Sequence, residues 1–382
     1  MITVFTPSFA DEANTNAQNL TVKEVVARLD PGKFRVIMFA QGAVDARIAG
    51  RPNTSILRWR KHGNTLRTMA SFLGEIPDIY FFPREGPLDA AVLYARKYAH
   101  LRTAVVTYIV SGGIERTGLR PTLARNIAQS DVTVANSRHL ALLMSQRTGA
   151  DVSTIYDGVD SRYFYPRSDG EARRLTVLYA GSFRPWKRVH MVVEQAAIWP
   201  TVEFRIAGTG EDEQKCRDLA VRLGCKNVRF LGHLSQSQLG DQMRAADLFF
   251  FPSEMEGHPQ VLGQAAACGL PCVAISSYRP EFVVDGKTGL LAKTDDELGW
   301  KLAILLTNGE LRHSMYCAAI AHMRQFDWDR ISAQWQEVFE AAAWKRRNRV
   351  RIWNKIFGSG SEFSTVAHTT VPTTPSDVQS LG

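Results

Sequence analysis

Phe251-Pro-Ser-Glu-Met-Glu-Gly-His-Pro-Gln-Val-Leu-Gly-Gln-Ala-Ala-Ala-Cys-Gly-Leu-Pro271 is the most informative stretch of this 382-residue chain. A run of aromatic residues ends at Pro252, where a strand closes. Pro259 suits the first turn of a helix, because its missing N–H has no partner there anyway. Gly269, with Pro271 just beyond, suits the end of that helix. A strand that feeds straight into a helix leaves the helix's free N–H groups and positive dipole end at the edge of a sheet, a seat for phosphate. Glu256 stands just before the helix. Gln264 follows about two turns later, so both side chains can address one side. An ordinary capped helix with a surface Glu and Gln is the alternative.

Upstream, Tyr179-Ala-Gly-Ser-Phe-Arg-Pro-Trp-Lys-Arg-Val189 also joins a strand to a helix. It gathers Arg184, Lys187 and Arg188 at one turn, where cations can neutralise a diphosphate; a solvated basic turn is the alternative. The same alternation runs through the whole chain. Strand-like runs are expected at 2–6, 35–39, 79–82, 104–110, 132–135 and 152–156, then at 176–180, 203–207, 228–231, 248–251, 271–275 and 290–292. Helical patterns such as 20–29, 88–98 and 138–147 lie between them. This order implies parallel sheets covered on both faces, an α/β protein of two Rossmann-like, doubly wound domains facing a cleft. The polar segment Arg162–Glu171 breaks the rhythm. The expected organisation is residues 1–165 as the first domain, 166–328 as the second, a helix with a basic amphipathic segment over 329–357, and a disordered tail over 358–382. Ligands of such sheets bind beside the carboxyl ends of the strands.

Composition narrows the class. With 45% hydrophobic and 22% charged residues the chain can bury two cores and is not disordered as a whole. No run approaches the ~18 apolar residues of a spanning helix, and Met1-Ile-Thr-Val-Phe-Thr-Pro7 reads as a first strand rather than a leader. Five cysteines, an odd number without a C-x-x-C, argue against a disulfide framework or zinc site and for a reducing cytoplasm. The formal net charge is +8, and about half of it belongs to the C-terminal residues 345–382, in which Lys345-Arg-Arg-Asn-Arg-Val-Arg-Ile-Trp-Asn-Lys-Ile-Phe357 carries six basic residues and no acid. No general nucleic-acid-binding face is implied. As a helix this stretch sets Val350, Trp353 and Phe357 on one side among cations, which suits an anionic membrane surface at the inner face of the plasma membrane. A strap packed back across the domains is the alternative.

Taken together, the segments resemble family 4 glycosyltransferases, which have the two-domain GT-B fold. The family's G-R-L-x-x-x-K-G turn is similar to Gly181-Ser-Phe-Arg-Pro-Trp-Lys-Arg188. Its G-x-G is matched by Gly208-Thr-Gly210 and its v-x-f-x-G by Val228–Gly232. Its P-S-x-x-E-G-x-x-x-V-x-x-E-A signature aligns with Pro252–Ala265. Glu281-Phe-Val-Val-Asp-Gly-Lys-Thr-Gly-Leu290 and the link Ile155-Tyr-Asp-Gly-Val-Asp160 complete the ordered matches. The resemblance implies retaining transfer of a sugar from a nucleotide diphosphate sugar of UDP or GDP type to a hydroxyl acceptor. It implies no cofactor and no metal. The acceptor is expected to be a glycan or a lipid-linked molecule in polysaccharide assembly.

Carried over residue by residue, Lys187 is the phosphate ligand and Glu256 the donor-sugar contact; these two are the expected catalytic residues. Gly181, Ser182, Arg184, Arg188, Gly208, Gly257, His258, Pro259, Gln260, Val261 and Gln264 complete the expected donor site. Ser182 stands where the family has Arg, with Arg184 as the substitute. Gln264 stands where it has Glu, keeping hydrogen bonds to a ribose but losing a charge. Where the family often has a histidine after the strand at 104–110, this chain has Tyr108 and Ser111-Gly-Gly-Ile-Glu115. Asn14, Asn16 and Gln18, with Ser111 and Gly112, are acceptor-side candidates; helix capping is an equal reading of the first three.

Three signals are set aside. Gly286-Lys-Thr288 lacks the earlier glycine of a P-loop, and Gly208-Thr-Gly210 lacks the third glycine of a dinucleotide fingerprint. Asp327-Trp-Asp329 fits a helix cap better than a metal pair. His139 and His258 have no partner at metal spacing. Competing functions are a non-catalytic nucleotide-sugar-binding module, a nucleotide-sugar epimerase and a basic scaffold.

Overall fold

The computed structural model describes residues 1–12, 17–60, 63–81, 86–110, 118–167 and 174–357. The first domain runs β1 (Ile2–Phe9), α1 (Ala17–Arg28), β2 (Phe34–Ala40), α2 (Ala46–Ala49), β3 (Thr54–Arg58), α3 (Asn64–Glu75), β4 (Ile79–Phe81), α4 (Pro87–Tyr98), β5 (Ala104–Ile109), α5 (Pro121–Ala128), β6 (Val132–Ala135), α6 (Arg138–Thr148) and β7 (Val152–Thr154). The second runs β8 (Thr176–Ala180), a 3₁₀ turn (Pro185–Lys187), α7 (His190–Ile198), β9 (Glu203–Ala207), α8 (Glu213–Arg222), β10 (Val228–Gly232), α9 (Gln236–Arg244), β11 (Leu248–Phe251), α10 (Gln260–Ala267), β12 (Cys272–Ile275), β13 (Gly289–Ala292), α11 (Asp295–Thr307) and α12 (Gly309–Met323). A last helix, α13, spans Trp328–Phe357.

Among the described residues the strands form two parallel sheets, ordered β3-β2-β1-β4-β5-β6-β7 and β10-β9-β8-β11-β12-β13. Parallel strands are covered on both faces, so their sequences are apolar throughout rather than alternating. Leu248–Phe251 is buried at all four positions. On β1, Val4 joins the core on one face of the first sheet and Phe5 the core on the other. The sequence reading misses β3, which is an edge strand. Its five residues are half-buried or exposed, and Ile56-Leu57 is its only apolar pair, so the segment lacks a core strand's pattern.

Helix α13 does not stay with the domain that precedes it. Trp328, Ile331, Trp335, Phe339, Ala342 and Ala343 join Val4, Val22, Val36 and Phe81 in the core beneath the first sheet. Trp335 is fully buried, its ring centre 5.0 Å from those of Phe81 and Tyr108. Farther along, Arg346 donates to the carbonyl of Leu101 and Arg347 pairs with Asp78 at 2.7 Å. The start of the basic stretch is therefore strapped to the first domain. The backbone stays helical to Phe357, while the side chains from 349 on, and the whole of 358–382, lie outside the described residues.

The two crossings between domains run side by side. Val159 N–H donates to the carbonyl of Phe326 at 2.9 Å. Gly158 lies flat on Trp328, and a Cβ there would fall 2.6 Å from the indole.

Candidate active site

The strand order of the second sheet reverses between β8 and β11, and the crevice at such a reversal opens at the carboxyl ends of the strands. The loops that leave β8 and β11 are the two stretches marked out by the sequence, Gly181–Arg188 and Pro252–Pro259. They are stitched together: Glu254 N–H donates to the Trp186 carbonyl at 2.9 Å, and Arg188 Nε donates to the Pro252 carbonyl at 2.8 Å.

Across this seam Lys187 Nζ pairs with Glu256 Oε1, which also accepts from Ser253 Oγ at 2.5 Å. Both side chains are largely enclosed, 17% and 13% exposed. The Lys187 ammonium also lies 5.2 Å from the centre of the Phe251 ring. A partly desolvated pair gains little net stability, because removing two charges from water costs about as much as their attraction returns. The other two cations face elsewhere. Arg184 is half exposed, 3.8 Å from Glu211 and over the ring of Trp186. Arg188 reaches Asp295 at 2.6 Å. Of the three, Lys187 alone meets Glu256, and Ser182 is exposed at the lip.

Backbone approaches backbone beside this pair. Gly208 has φ +128°, and a Cβ there would lie 1.9 Å from the carbonyl oxygen of Gly181. No other residue fits. The contact leaves a cavity of about 260 Å³ lined by Gly181, Ser182, Gly208, Thr209, His233 and Leu234. On α10, Pro259 takes the N-cap and Gly269 the left-handed position past the end. Gly257 and Val261 are half-buried, and Pro259 is buried. Glu256 and Gln264 make separate contacts: Gln264 is buried and donates from Nε2 to Gln236 Oε1 at 3.1 Å. The Gln260 amide nitrogen is buried without a partner.

Three contributors escaped the sequence reading. The hydroxyl of Tyr278 is buried without a partner, and burial with the nearby Glu256 charge raises its pKa well above the ordinary value. Gln236 matters only through Gln264, a contact between helices far apart in sequence. Asp157, in the link from the first domain, is 1% exposed and accepts from Thr21 Oγ1 at 2.5 Å, Tyr108 OH at 2.7 Å and Asn136 Nδ2 at 3.0 Å. These donors gather at the carboxyl edge of the first sheet and its flanking α1, across from the second domain's loops. Burial, then Asp157, pushes the Tyr108 hydroxyl well up.

His258 is buried between the second domain and the link that leads into it. Its ring centre is 4.1 Å from Phe282 and 5.9 Å from Tyr156, and Nε2 is buried with no partner. Burial lowers its pKa, against the pull of Asp157 and Glu281. Glu281 itself crosses to the first domain, accepting from the Arg138 backbone N–H at 2.7 Å, at the start of α6. Asn14, Asn16, Ser111 and Gly112 lie outside the described residues, as does the side chain of Gln18, which sits in the first turn of α1. No three His, Cys, Asp or Glu side chains converge as metal ligands among the described residues.

Comparison with known proteins shows the fold and a family likeness in the second domain. Residues 165–322 match the family model described as "Glycosyl transferases group 1", and the paired Rossmann-like domains form the GT-B fold. Anabaena HepE, solved in complex with UDP and glucose, superposes with a TM-score of 0.71 at 18% identity over 89% of this chain and 100% of that one. The lipopolysaccharide outer core galactosyltransferase WaaB gives 0.67 at 17% identity over 91% and 100%. Among curated relatives, the D-inositol 3-phosphate glycosyltransferase of Streptomyces scabiei is 31% identical over 255 residues, 59% of this chain and 57% of that protein. The N-acetyl-alpha-D-glucosaminyl L-malate synthase of Bacillus anthracis is 27% identical over 260 residues, 62% and 68%. The chain thus spans little more than half the length of the first of these relatives. No helix among the described residues is long and apolar enough to cross a membrane.

Proposed function

We propose that this protein transfers a sugar from a nucleoside diphosphate sugar to a hydroxyl acceptor with retained anomeric configuration. The observation that carries this reading is the enclosed Lys187–Glu256 pair at the strand-order reversal of the second sheet. The pair is poised to exchange partners. An incoming diphosphate takes the Lys187 ammonium, and Glu256 turns its freed oxygen to hydroxyls of the donor sugar. The departing diphosphate oxygen accepts the acceptor's proton as the old C–O bond breaks and the new one forms on the same face. Stabilising charge on that leaving group is the main catalytic contribution. The family match and the UDP-bound structural neighbour support the reading.

A panel of nucleoside diphosphate sugars read by thermal shift tests it, since a ligand at ~100 times its Kd adds ~2.7 kcal/mol. A panel in which no member raises the melting temperature rejects the assignment. Product analysis with Glu256→Ala as control separates transfer from mere binding, and incubation without acceptor separates it from epimerisation.

Two further outcomes follow. Gln264→Glu keeps or improves donor affinity. The new carboxylate can accept two ribose hydroxyls, and the Gln236 amide can flip to donate to it at the 3.1 Å contact. Calorimetric titration checks this, and a loss beyond about tenfold, or ~1.4 kcal/mol, means the Gln264 amide donates to the ligand itself. Turnover also survives excess EDTA, because Lys187 and the start of α10 supply the positive field. Loss of activity that magnesium or manganese restores counts against this cradle.

The acceptor we assign is a glycan or lipid-linked molecule reached at a membrane surface, with the basic stretch 345–357 drawn to anionic lipid. Its first residues are strapped down through Leu101 and Asp78, and Arg349, Arg351 and Lys355 follow beyond them.

A further inference from the structure

Gln264, in place of the glutamate of family 4 glycosyltransferases, is held from another helix. A carboxylate offers two equivalent acceptors. An amide offers one acceptor and one donor, and a half-turn exchanges them. A glutamine can therefore do a carboxylate's work toward a sugar hydroxyl only if a neighbour decides which atom faces the sugar. Here Gln264 Nε2 donates to Gln236 Oε1 at 3.1 Å. That contact turns the donor side of the amide toward the protein and leaves Oε1 as the free atom. The side chain as a whole is 9% exposed, yet Oε1 accepts from no described residue and is not sealed from solvent.

Gln236 is itself firmly placed. It is the first residue of α9. Ser235 Oγ accepts from the Gln238 N–H at 3.3 Å, and Gln238 Oε1 accepts from the Ser235 N–H at 2.9 Å. This reciprocal cap fixes the start of the helix. On either side of Gln236, His233, Leu234 and Leu239 line the cavity of about 260 Å³ that Gly181 and Gly208 also line. Gln236 is half-buried at that edge.

We infer that Gln236 is a positioning residue for nucleotide binding. It orients the Gln264 amide so that Oε1 accepts from a ribose hydroxyl, and the two amides together replace one carboxylate. The inference rests on the reading of the cleft as a nucleoside diphosphate sugar site. It adds a residue to that site and a selectivity, because a ribose recognised as a hydrogen-bond donor must carry its hydroxyls.

Calorimetric titration of the full chain with UDP and GDP, and with analogues whose ribose lacks both hydroxyls, tests it. Gln236→Leu frees the Gln264 amide and is expected to weaken binding of the tighter ribonucleotide about three- to tenfold, the range for one neutral hydrogen bond. In steady-state kinetics the loss appears in KM while kcat holds, because the ribose is remote from the bond that breaks. The analogue without hydroxyls binds the natural protein and Gln236→Leu alike. Gln236→Glu keeps the acceptor and restores binding. A cycle with Gln264→Glu separates orientation from packing. Both oxygens of the new carboxylate accept, so Gln236→Leu costs clearly less in that background. The inference is overturned if Gln236→Leu binds the ribonucleotide as the natural protein does. It is equally overturned if the loss is as large for the analogue and in the Gln264→Glu background, which makes Gln236 a packing residue. If the natural protein binds neither UDP nor GDP, the reading of the cleft fails and this inference falls with it.

Discussion

Lys187→Ala is expected to lower kcat/KM for the nucleoside diphosphate sugar by about ten- to a hundredfold, the ~1.5–3 kcal/mol of one charge-assisted contact. The lysine bridges the loops that leave β8 and β11, and its ammonium meets Glu256 and the Phe251 ring rather than solvent. Its removal also leaves Glu256, 13% exposed, with Ser253 as the remaining hydrogen-bond donor recorded for its carboxylate. The loss should therefore appear in both donor affinity and turnover. Lys187→Arg keeps the charge on a longer, planar head and should recover part of the activity. Steady-state kinetics on the purified variants, with circular dichroism to verify folding, decides the matter. A folded alanine variant with unchanged kinetics removes Lys187 from the reaction.

Trp335→Ala is expected to cost about 3–5 kcal/mol, the range for truncating a buried large aromatic residue. The indole is fully buried against Phe81, Tyr108 and Phe339. At roughly 2–4 °C per kcal/mol for a domain of this size, the melting temperature should fall by several degrees at least. Trp335→Phe should cost far less, because the indole Nε1 has no hydrogen-bond partner to lose and the substitution stays apolar. Calorimetry of both variants tests this. Equal losses would show that Nε1 does hold a partner, and no loss from alanine would detach α13 from the first core.

The sequence made the parallel sheets legible because apolar strand runs and turn residues are local signals. The site's second half was legible for the same reason: each of its loops is one continuous stretch. What failed was anything set by distant pairing. Nothing in Arg184-Pro-Trp-Lys-Arg188 says which cation meets which acid. Glu211, Glu256 and Asp295 divide them among three partners only once the chain is folded. Asp157 reads as a loop residue until Thr21, Tyr108 and Asn136 close around it. The expected substitution of Arg184 for the family's arginine finds that side chain directed at Glu211. The chain beyond Asp329 read as a helix, but its destination could not be inferred, because its apolar face would fit either domain.

That destination matters for how the protein is made. The first domain's core includes Trp328, Trp335 and Phe339, which a ribosome adds only after the entire second domain has been synthesised. Until then α1 covers only part of this face, and the strip over β4 and β5 where α13 packs stays open, so the nascent amino-terminal half carries an exposed apolar surface. Domains that fold in order of synthesis avoid that exposure; this one cannot. A chimaera that exchanges its amino-terminal half must therefore bring the matching α13 with it.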